Sequence, residues 1–316
     1  MSSPSASDRF RGCLVGVLTG DLLGAPFEGM SGAQIARESG GRPIDRSTAA
    51  EILRSGKGFY TDDTSQTMCV AESIVERGAV DPDAIASRLV HWFKTDGRGI
   101  GLQTWEVFDS ISRGRRWQEA SFEVWTARDR DAAGNGSLMR FAPVALALFD
   151  APTDELQARS SEVSSITHWD PRCRAACFGA SVLLRELASV RPERAVEIAA
   201  EATEVTDRDA AGSLRKPLTA REDEIRGTGF VLDTLTTAVW SLLRSHSFEE
   251  AILAAVNLGD DTDTTAAVAG ALAGFYYGLN GIPEQWRAAL RLVGAPAPWM
   301  VELADRLWEI SRRLHS

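Results

Sequence analysis

Two clusters of aspartate and threonine are the residues of this sequence best suited to chemistry. One is Thr61-Asp62-Asp63-Thr64, and the other is Gly259-Asp260-Asp261-Thr262-Asp263-Thr264. Helix capping is one interpretation of either cluster, because Asp and Thr are preferred N-caps and acidic residues suit the first turn of a helix. A metal site is the other, since crowded carboxylates repel one another unless cations are present. With no His or Cys nearby, these hard oxygen ligands suit Mg²⁺, Mn²⁺ or Ca²⁺ rather than Zn²⁺.

Three further segments are candidates for contact with a ligand. Glu28 places another carboxylate just beyond the first predicted helix. Gly134-Asn135-Gly136-Ser137 precedes a predicted helix, where small residues expose backbone N–H groups that suit a phosphate. Glycine before a helix is common, so this signal is weak by itself. His168 stands beside the Asp170-Pro171 cap signal and is as easily a structural histidine as a ligand contact.

The elements that must position these residues are predicted to be helices. Apolar residues recur with the helical period along nearly the whole chain, and no convincing alternating strand is present. Helices are predicted at 8–23, 62–78, 82–93, 102–112, 138–149, 154–165, 171–187, 194–204, 231–245, 248–257, 264–277, 283–292 and 298–314. We therefore predict an all-α fold with a single compact multi-helix domain over residues 1–316. Residues 1–7 are expected to be disordered, and residues 207–229 to form a polar loop.

The first predicted helix carries a glycine at every fourth position, namely Gly12, Gly16, Gly20 and Gly24. Each glycine costs a helix interior roughly 1 kcal/mol, so such a series calls for a compensating role. Close contact with another helix is one such role, and room for a ligand beside the backbone is another. The two roles are compatible.

The composition narrows the class of protein. The chain has 316 residues and a formal net charge of −10, which makes it a poor candidate for binding a nucleic-acid backbone or an anionic membrane. A small anionic ligand would need local backbone donors or metal ions. The four cysteines form no CxxC pair and are predicted to be buried thiols. With no signal-peptide pattern at the start and no apolar stretch long enough for a membrane span, these features favour a cytoplasmic protein.

A series of motifs extends these clusters from residue 10 to about residue 290. They are GDLLGAPFE (20–28), YTDDTSQT (60–67), GRGIG (97–101), GNGSLMRFAPVAL (134–146), ITHWDPRC (166–173), GFVLDTL (229–235) and LGDDTDT (258–264). In this order they resemble the ADP-ribosylglycohydrolases, the family of dinitrogenase reductase-activating glycohydrolase and the ADP-ribosyl-acceptor hydrolases. The TDDT and GDxDT motifs at this separation are specific.

The resemblance implies an all-α fold around a central dinuclear site of two Mg²⁺ or Mn²⁺ ions. The metal-binding positions of the family match Thr61, Asp62, Asp63, Asp261, Asp263 and Thr264. Its substrate-binding positions match Gly97, Gly99, Gly101, Asn135, Gly136, Ser137, His168, Gly229 and Phe230. The 134–137 loop would take the diphosphate, and His168 would flank the adenosine or the inner ribose. One departure is Asp260, where many members have glycine. Its extra carboxylate either points away from the metals or tunes them.

The activity implied by the resemblance is metal-dependent hydrolysis of the bond between ADP-ribose and a modified protein side chain, arginine first. Such cleavage passes through an oxocarbenium-like state and needs a carboxylate to activate water or protonate the leaving group. Asp261 is the leading candidate, Glu28 is the second, and Asp62 is also a candidate. The alternatives are serine-linked ADP-ribose, modified nucleic acid or O-acetyl-ADP-ribose as substrate, or a binding role, such as an immunity protein that neutralises an ADP-ribosyltransferase.

Overall fold

Helices account for nearly all the regular structure of the computed structural model, which describes residues 3–55, 59–292 and 294–314. The first nine are α1 (Ala6–Gly24), α2 (Gly32–Glu38), α3 (Arg46–Ser55), α4 (Asp62–Arg77), α5 (Pro82–Thr95), α6 (Leu102–Ser112), α7 (Trp117–Ala127), α8 (Ala142–Ala147) and α9 (Thr153–Ser165). The others are α10 (Pro171–Glu186), α11 (Pro192–Glu204), α12 (Arg208–Arg215), α13 (Val231–Leu243), α14 (Phe248–Leu258), α15 (Thr262–Tyr277), α16 (Glu284–Leu292) and α17 (Ala297–Leu314). Two short strands, β1 (Met30–Ser31) and β2 (Gly259–Asp260), pair antiparallel. The prediction of a compact all-α fold is confirmed.

Local signals begin several helices where the sequence predicts them. Asp81 accepts a hydrogen bond from the backbone N–H of Asp83 at 3.0 Å, with Pro82 at the first helical position of α5. Asp170 caps α10 in the same way. A cap carboxylate followed by proline suits this position, because the N–H that proline lacks has no partner within the helix. The boundaries of these two helices therefore follow from residues close to them in sequence.

Helices α1 and α15 pack against each other backbone to backbone at the centre of the fold. An ideal Cβ atom at Gly16 would lie 2.0 Å from the carbonyl oxygen of Gly270, and one at Gly20 would lie 1.9 Å from that of Ala266. The glycine series therefore serves close helix contact, because the backbone of α15 fills the space beside it. The two helices run antiparallel, so the carboxyl end of α1, at Gly24, meets the amino end of α15.

Four helices lie outside the predicted set, and these are α2, α3, α7 and α12. Helix α12 and two 3₁₀ turns, at Lys216–Leu218 and Glu222–Glu224, occupy much of the segment expected to be a polar loop. That expectation is wrong for these residues. Asp207 caps α12 by accepting from the backbone N–H of Ala210 at 2.9 Å, and Leu214 is fully buried. The helix has 8 residues, of which Ala210, Ala211 and Leu214 are buried, and so few apolar positions do not establish a helical period in the sequence.

Two other boundaries differ from the prediction. The helix expected over 138–149 is a 3₁₀ turn, Leu138–Arg140, followed by α8 with Pro143 near its start. Proline has no N–H to donate, which makes it a natural beginning for a new helix. At the other end of the chain, Ser5 caps α1 and accepts from the N–H of Asp8 at 3.2 Å, so helical structure begins within the segment expected to be disordered. Residues 1 and 2 lie outside the described residues.

The apolar character of α1 belongs to the core. Together with the 3₁₀ turn that follows it, α1 forms a segment (Ala6–Phe27) that is long and apolar enough to cross a membrane by length and composition alone. The prediction that no apolar stretch reaches this length is therefore wrong for this segment. The rest of the protein covers 83% of its most apolar window. The four cysteines, Cys13, Cys69, Cys173 and Cys177, are buried and form no disulfide.

Candidate active site

The two acidic clusters meet, and helix capping does not account for their carboxylates. Thr61 caps α4, because its hydroxyl accepts from the backbone N–H of Asp63 at 3.3 Å. Asp261 occupies the N-cap position of α15, yet its carboxylate makes no capping bond and accepts from Asn135 Nδ2 at 2.9 Å. Thr264 Oγ1 on α15 donates to Asp63 Oδ2 on α4 at 3.3 Å, across 201 residues of sequence. The carboxylates are therefore arranged toward one another rather than toward their own helix ends.

Asp21 is a carboxylate of this site that was not predicted from the sequence. It lies near the end of α1 and is fully buried. Its oxygens accept from the backbone N–H of Thr61 at 3.0 Å and from the N–H and hydroxyl of Thr64 at 3.1 and 2.5 Å. Asp21 thus holds the amino end of α4 against α1. The GDLLG sequence contains this aspartate, and its position one turn before the end of an apolar helix was the available signal.

Removing the charge of Asp21 should loosen this junction. In Asp21→Asn, an amide N–H₂ faces backbone donors, so at least one buried donor loses its acceptor, which costs about 1–3 kcal/mol. We expect a lower urea midpoint of unfolding with an unchanged slope. Asp45→Asn is the matched control, because Asp45 is an exposed cap that accepts from Thr48 N–H at 2.9 Å, and Asn caps about as well as Asp. Equal midpoints for Asp21→Asn and wild type would contradict the positioning role.

Simultaneous ionisation of the carboxylates of the site is unfavourable, because they are buried close to one another. Burial, followed by the charge of Asp21, raises the pKa of Asp62 to about 8, and burial with the charges of Asp261 and Glu28 raises that of Asp263 to about 9. Burial and neighbouring carboxylates also raise the pKa of Asp63 well above its ordinary value. One oxygen each of Asp63 and Asp263 is buried without a hydrogen-bond partner. Within the described residues, no group of three or more His, Cys, Asp and Glu side chains converges as a metal site.

These raised pKa values set the pH dependence of the protein without divalent cations. Asp62 and Asp263 hold protons in the folded state at pH values where the unfolded chain, with carboxyl pKa values near 3.8, has lost them. Their contribution to stability is therefore present below about pH 4 and is lost as the pH rises toward 9. We expect the melting temperature in chelator to fall between pH 5 and pH 9, and Asp263→Asn to reduce that fall. A melting temperature that rises over this interval would refute the assignment.

A cavity of about 350 Å³ opens beside the clusters and is lined by most of the residues selected from the sequence. Of those, the residues that line it are Glu28, Thr61, Asp62, Gly99, Gly101, Asn135, Gly136, His168, Asp261, Asp263 and Thr264. Asp63 lies just behind them and is 1% exposed. Arg128, at the end of α7, also lines the cavity and was missed, because nothing in its local sequence distinguishes it from other exposed arginines. Its Nη2 donates to Glu106 Oε2 at 2.8 Å.

Glycines allow the backbone to approach the functional side chains closely. At Gly99, φ is +79°, and a Cβ atom there would lie 3.1 Å from Asp62 Oδ1. At Gly136, a Cβ atom would lie 3.0 Å from the imidazole of His168. Any larger residue at either position would push these side chains away. The backbone at Gly99 therefore packs against Asp62, and the backbone at Gly136 packs against His168.

Several selected residues lie elsewhere. Ser137 is buried behind the cavity, where its hydroxyl accepts from Ser164 Oγ at 2.9 Å. The ring of Phe230 is 37% exposed and lies under the guanidinium of Arg172, 5.5 Å from it. Gly97 has a φ of +61°, and a Cβ atom there would lie 2.8 Å from the carbonyl oxygen of Phe93. None of these three residues lines the cavity.

Gly229 and Asp260 lie close to Asp261 but do not line the cavity. Gly229 accepts at its carbonyl from the N–H of Asn135 at 3.1 Å, and a Cβ atom at Gly229 would lie 3.2 Å from Asp261 Oδ2. Asp260 is exposed, pairs with Met30 and has a φ of +65°. This left-handed conformation favours glycine, with Asn and Asp the best tolerated alternatives, which explains why a glycine fits there. Its side chain does not line the cavity.

The whole chain matches one protein family. A family model described as ADP-ribosylglycohydrolase covers residues 2–315. The chain belongs to this family. It is therefore an enzyme, an ADP-ribosylglycohydrolase, as the motifs predict. A solved structure titled "ADP-ribosylglycohydrolase-related protein complex" has 31% sequence identity and a TM-score of 0.74, covering 97% of this chain and 99% of its own.

Relatives of this ADP-ribosylglycohydrolase carry more specific names. ADP-ribosylarginine hydrolase Tri1 of Pseudomonas putida is 29% identical over 90% of this chain and 75% of its own. ADP-ribosyl-[dinitrogen reductase] glycohydrolase of Rhodospirillum rubrum is 30% identical over 92% of both chains. Human ADP-ribosylhydrolase ARH3 is 27% identical over 88% of both. The first name gives a modified amino acid, the second a modified protein and the third no substrate, so family membership alone leaves the acceptor open.

Proposed function

We propose that this enzyme is a metal-dependent hydrolase that releases ADP-ribose from modified arginine side chains of proteins. The observation that carries the proposal is the lining of the cavity. Asp62, Asp261, Asp263 and Glu28 form an acidic group in this lining, and His168 and Arg128 form a second group with residues of the 134–137 loop. A ligand with ribose hydroxyls at one end and a diphosphate at the other matches this division. An arginine leaving group suits carboxylates, since a guanidinium pairs with them in a bidentate manner.

The residues of the acidic group fit a pair of Mg²⁺ or Mn²⁺ ions. Buried carboxylates with raised pKa values and two unpartnered oxygens need positive charge to ionise, and their oxygens are the ligands such cations prefer. Thr61, Asp62, Asp63, Asp261, Asp263 and Thr264 are the residues we assign to the ions. When bound, the ions supply a positive field for the ribose hydroxyls and activate water.

The chain's own residues then provide the acid–base chemistry. The glycosidic bond breaks through an oxocarbenium-like state, which requires a carboxylate beside the anomeric carbon. Asp261 is held by Asn135 at 2.9 Å and leads the candidates. Glu28 is exposed at the cavity, where it can reach a leaving group of the protein substrate. Asp62 is held by Gln66 Nε2 at 2.9 Å and packs under Gly99, so we assign it to position rather than to proton transfer.

A substrate panel tests the proposal. ADP-ribose release is followed in time from arginine-, serine- and nucleotide-linked substrates and from O-acetyl-ADP-ribose, each with and without divalent cation. We expect the fastest release from arginine and loss of activity in chelator. Preference for another linkage would move the enzyme to that substrate. Absence of release from every substrate, with an alanine variant at Asp261 that still protects against a partner ADP-ribosyltransferase, would establish a binding role instead.

Arg128 gives the proposal a separate readout. It is the positively charged side chain among the described residues that line the cavity, so it should pair with the diphosphate. We expect Arg128→Gln to raise the KM for ADP-ribosyl-arginine roughly 10–100-fold with little change in kcat, the effect of losing a charge-assisted hydrogen bond. Arg130→Gln is the control, because Arg130 lies over Trp125 at 5.7 Å and does not line the cavity. An unchanged KM in Arg128→Gln would remove Arg128 from the binding site.

A further inference from the structure

A buried arginine connects the two groups of the cavity through hydrogen bonds. Arg140 is 1% exposed and no carboxylate among the described residues pairs with it directly. One nitrogen, Nη1, donates to Gln66 Oε1, and Gln66 Nε2 donates onward to Asp62 Oδ2 at 2.9 Å. The other, Nη2, donates to Thr167 Oγ1 at 2.6 Å, and that hydroxyl lies 2.8 Å from His168 Nδ1. The chain of contacts thus runs from Asp62 to His168 with Arg140 at its centre.

The direction of each bond in this chain follows from the chemistry of arginine. A guanidinium has five N–H donors and no acceptor, so Thr167 Oγ1 must accept from it. The single hydroxyl proton of Thr167 then needs an acceptor, and His168 Nδ1 lies within hydrogen-bond distance at 2.8 Å. If Nδ1 carried the proton instead, the hydroxyl of Thr167, which is fully buried, would have no other acceptor within the part of the chain that the structure describes. An unsatisfied buried donor costs about 1–3 kcal/mol, so the first arrangement is favoured.

We propose that Arg140 and Thr167 are positioning residues that hold His168 as the neutral tautomer with its proton on Nε2. The ring then presents an N–H donor beside the 134–137 loop. This nitrogen has no hydrogen-bond partner among the described residues, and a Cβ atom at Gly134 or Gly136 would lie 3.4 or 3.3 Å from it. The other tautomer would present a lone pair, which repels an anionic oxygen. The assignment of the diphosphate oxygen as the ligand atom rests on the proposed function; the tautomer does not.

The surroundings also keep the imidazole neutral. Burial, reinforced by the charge of Arg140, lowers the pKa of His168 to about 3. A neutral ring makes the tautomer the property that decides whether His168 donates or accepts. The same guanidinium orients the amide of Gln66, whose oxygen faces Arg140 and whose N–H₂ therefore faces Asp62. Arg140 thus directs the N–H₂ of Gln66 toward the acidic group and, through Thr167, the Nε2–H of His168 toward the 134–137 loop.

Nuclear magnetic resonance on protein labelled with ¹⁵N-histidine tests the tautomer directly. Long-range ¹H–¹⁵N correlation distinguishes a protonated from an unprotonated ring nitrogen, and His168→Gln identifies the His168 signals by their loss. We expect wild type and Thr167→Ser to show a protonated Nε2 and an unprotonated Nδ1. Thr167→Val removes the hydroxyl at nearly constant volume, so its spectrum should move toward protonated Nδ1. The affinity for ADP-ribose, measured by calorimetry, should fall about tenfold or more in Thr167→Val and be retained in Thr167→Ser.

Thr203→Val is the matched control, because Thr203 is equally buried but donates to the carbonyl of Ala199 within α11. It should leave the His168 tautomer and ADP-ribose affinity unchanged. A wild-type spectrum with protonated Nδ1 would overturn the inference, even if Thr167→Val does not fold. A Thr167→Val spectrum identical to wild type would also overturn it. If the tautomer depends on Thr167 but wild type does not bind ADP-ribose, the positioning role stands and the proposed function fails.

Discussion

Asp261→Asn should reduce hydrolysis of ADP-ribosyl-arginine by at least about 10³-fold in saturating Mg²⁺ or Mn²⁺. The substitution removes the leading acid–base group, which typically contributes 10²–10⁴-fold, and also one negative charge from the proposed metal ligands. A cap-only role predicts a mild effect, because Asn caps about as well as Asp. The structure gives the carboxylate no capping bond and pairs it with Asn135 instead. The measurement is the initial rate of ADP-ribose release at saturating substrate.

Asp260→Asn is the control for this loss, since it makes the same chemical change one residue away. Asp260 is exposed with a φ of +65°, a conformation that Asn tolerates well. Activity should therefore stay near wild type. In chelator, Asp261→Asn should also melt no lower than wild type, because fewer crowded carboxylates repel. Near-normal turnover in Asp261→Asn would return this aspartate to helix capping, and full wild-type activity in chelator would refute the metal requirement.

Gly20→Ala should strongly destabilise the protein, because its added methyl group would meet the backbone of α15. The new Cβ atom would lie 1.9 Å from the carbonyl oxygen of Ala266, so α1 and α15 would have to separate. Overpacking of a well-packed core costs about 1–3 kcal/mol, and a clash between two backbones leaves no flexible side chain to absorb it. We expect a loss of about 3 kcal/mol or more, measured from urea unfolding, together with loss of activity.

Gly212→Ala makes the same change at a glycine beside open space. Gly212 lies within α12, and nothing lies within 4 Å of a Cβ atom placed there. Alanine should raise stability by up to about 1 kcal/mol, because glycine is the poorer helix former. If Gly20→Ala were as stable as wild type, the helix contact could not be as close as described.

Long helices could be predicted because capping residues and prolines mark where they begin. Asp81-Pro82 and Asp170-Pro171 each place a cap and a proline at a helix start, and both helices begin there. The short α12 could not be found in this way, since its buried face includes only a few small or apolar residues such as Ala210 and Leu214. The glycine series predicted close packing but not its partner. Only the three-dimensional structure identifies α15 as the helix that fills the space.

The residues of the site also differ in whether the local sequence identifies them. Asp62 and Asp263 each belong to a motif of clustered Asp and Thr residues, so both could be selected from composition and spacing. Arg128 and Arg140 could not, because their roles depend on contacts with residues elsewhere in the sequence. Asp21 had a single signal, its position near the end of an apolar helix, and its partners Thr61 and Thr64 lie on another helix. Asn135 was selected for a ligand and lines the cavity, and its amide also donates to Asp261 and to the hydroxyl of Thr234, which the sequence did not predict. Pairings of this kind have no local signature.

The contact between α1 and α15 also dictates when the enzyme can acquire its site during synthesis. Gly24 meets Thr262, so 238 residues must be translated after α1 before its partner exists. At about 5–20 residues per second, this takes roughly 10–50 seconds. Throughout that interval the apolar surface of α1 lacks its main cover. Nascent chains of this enzyme are therefore expected to engage chaperones early through α1 and to gain ADP-ribose binding only when α15 has left the ribosome.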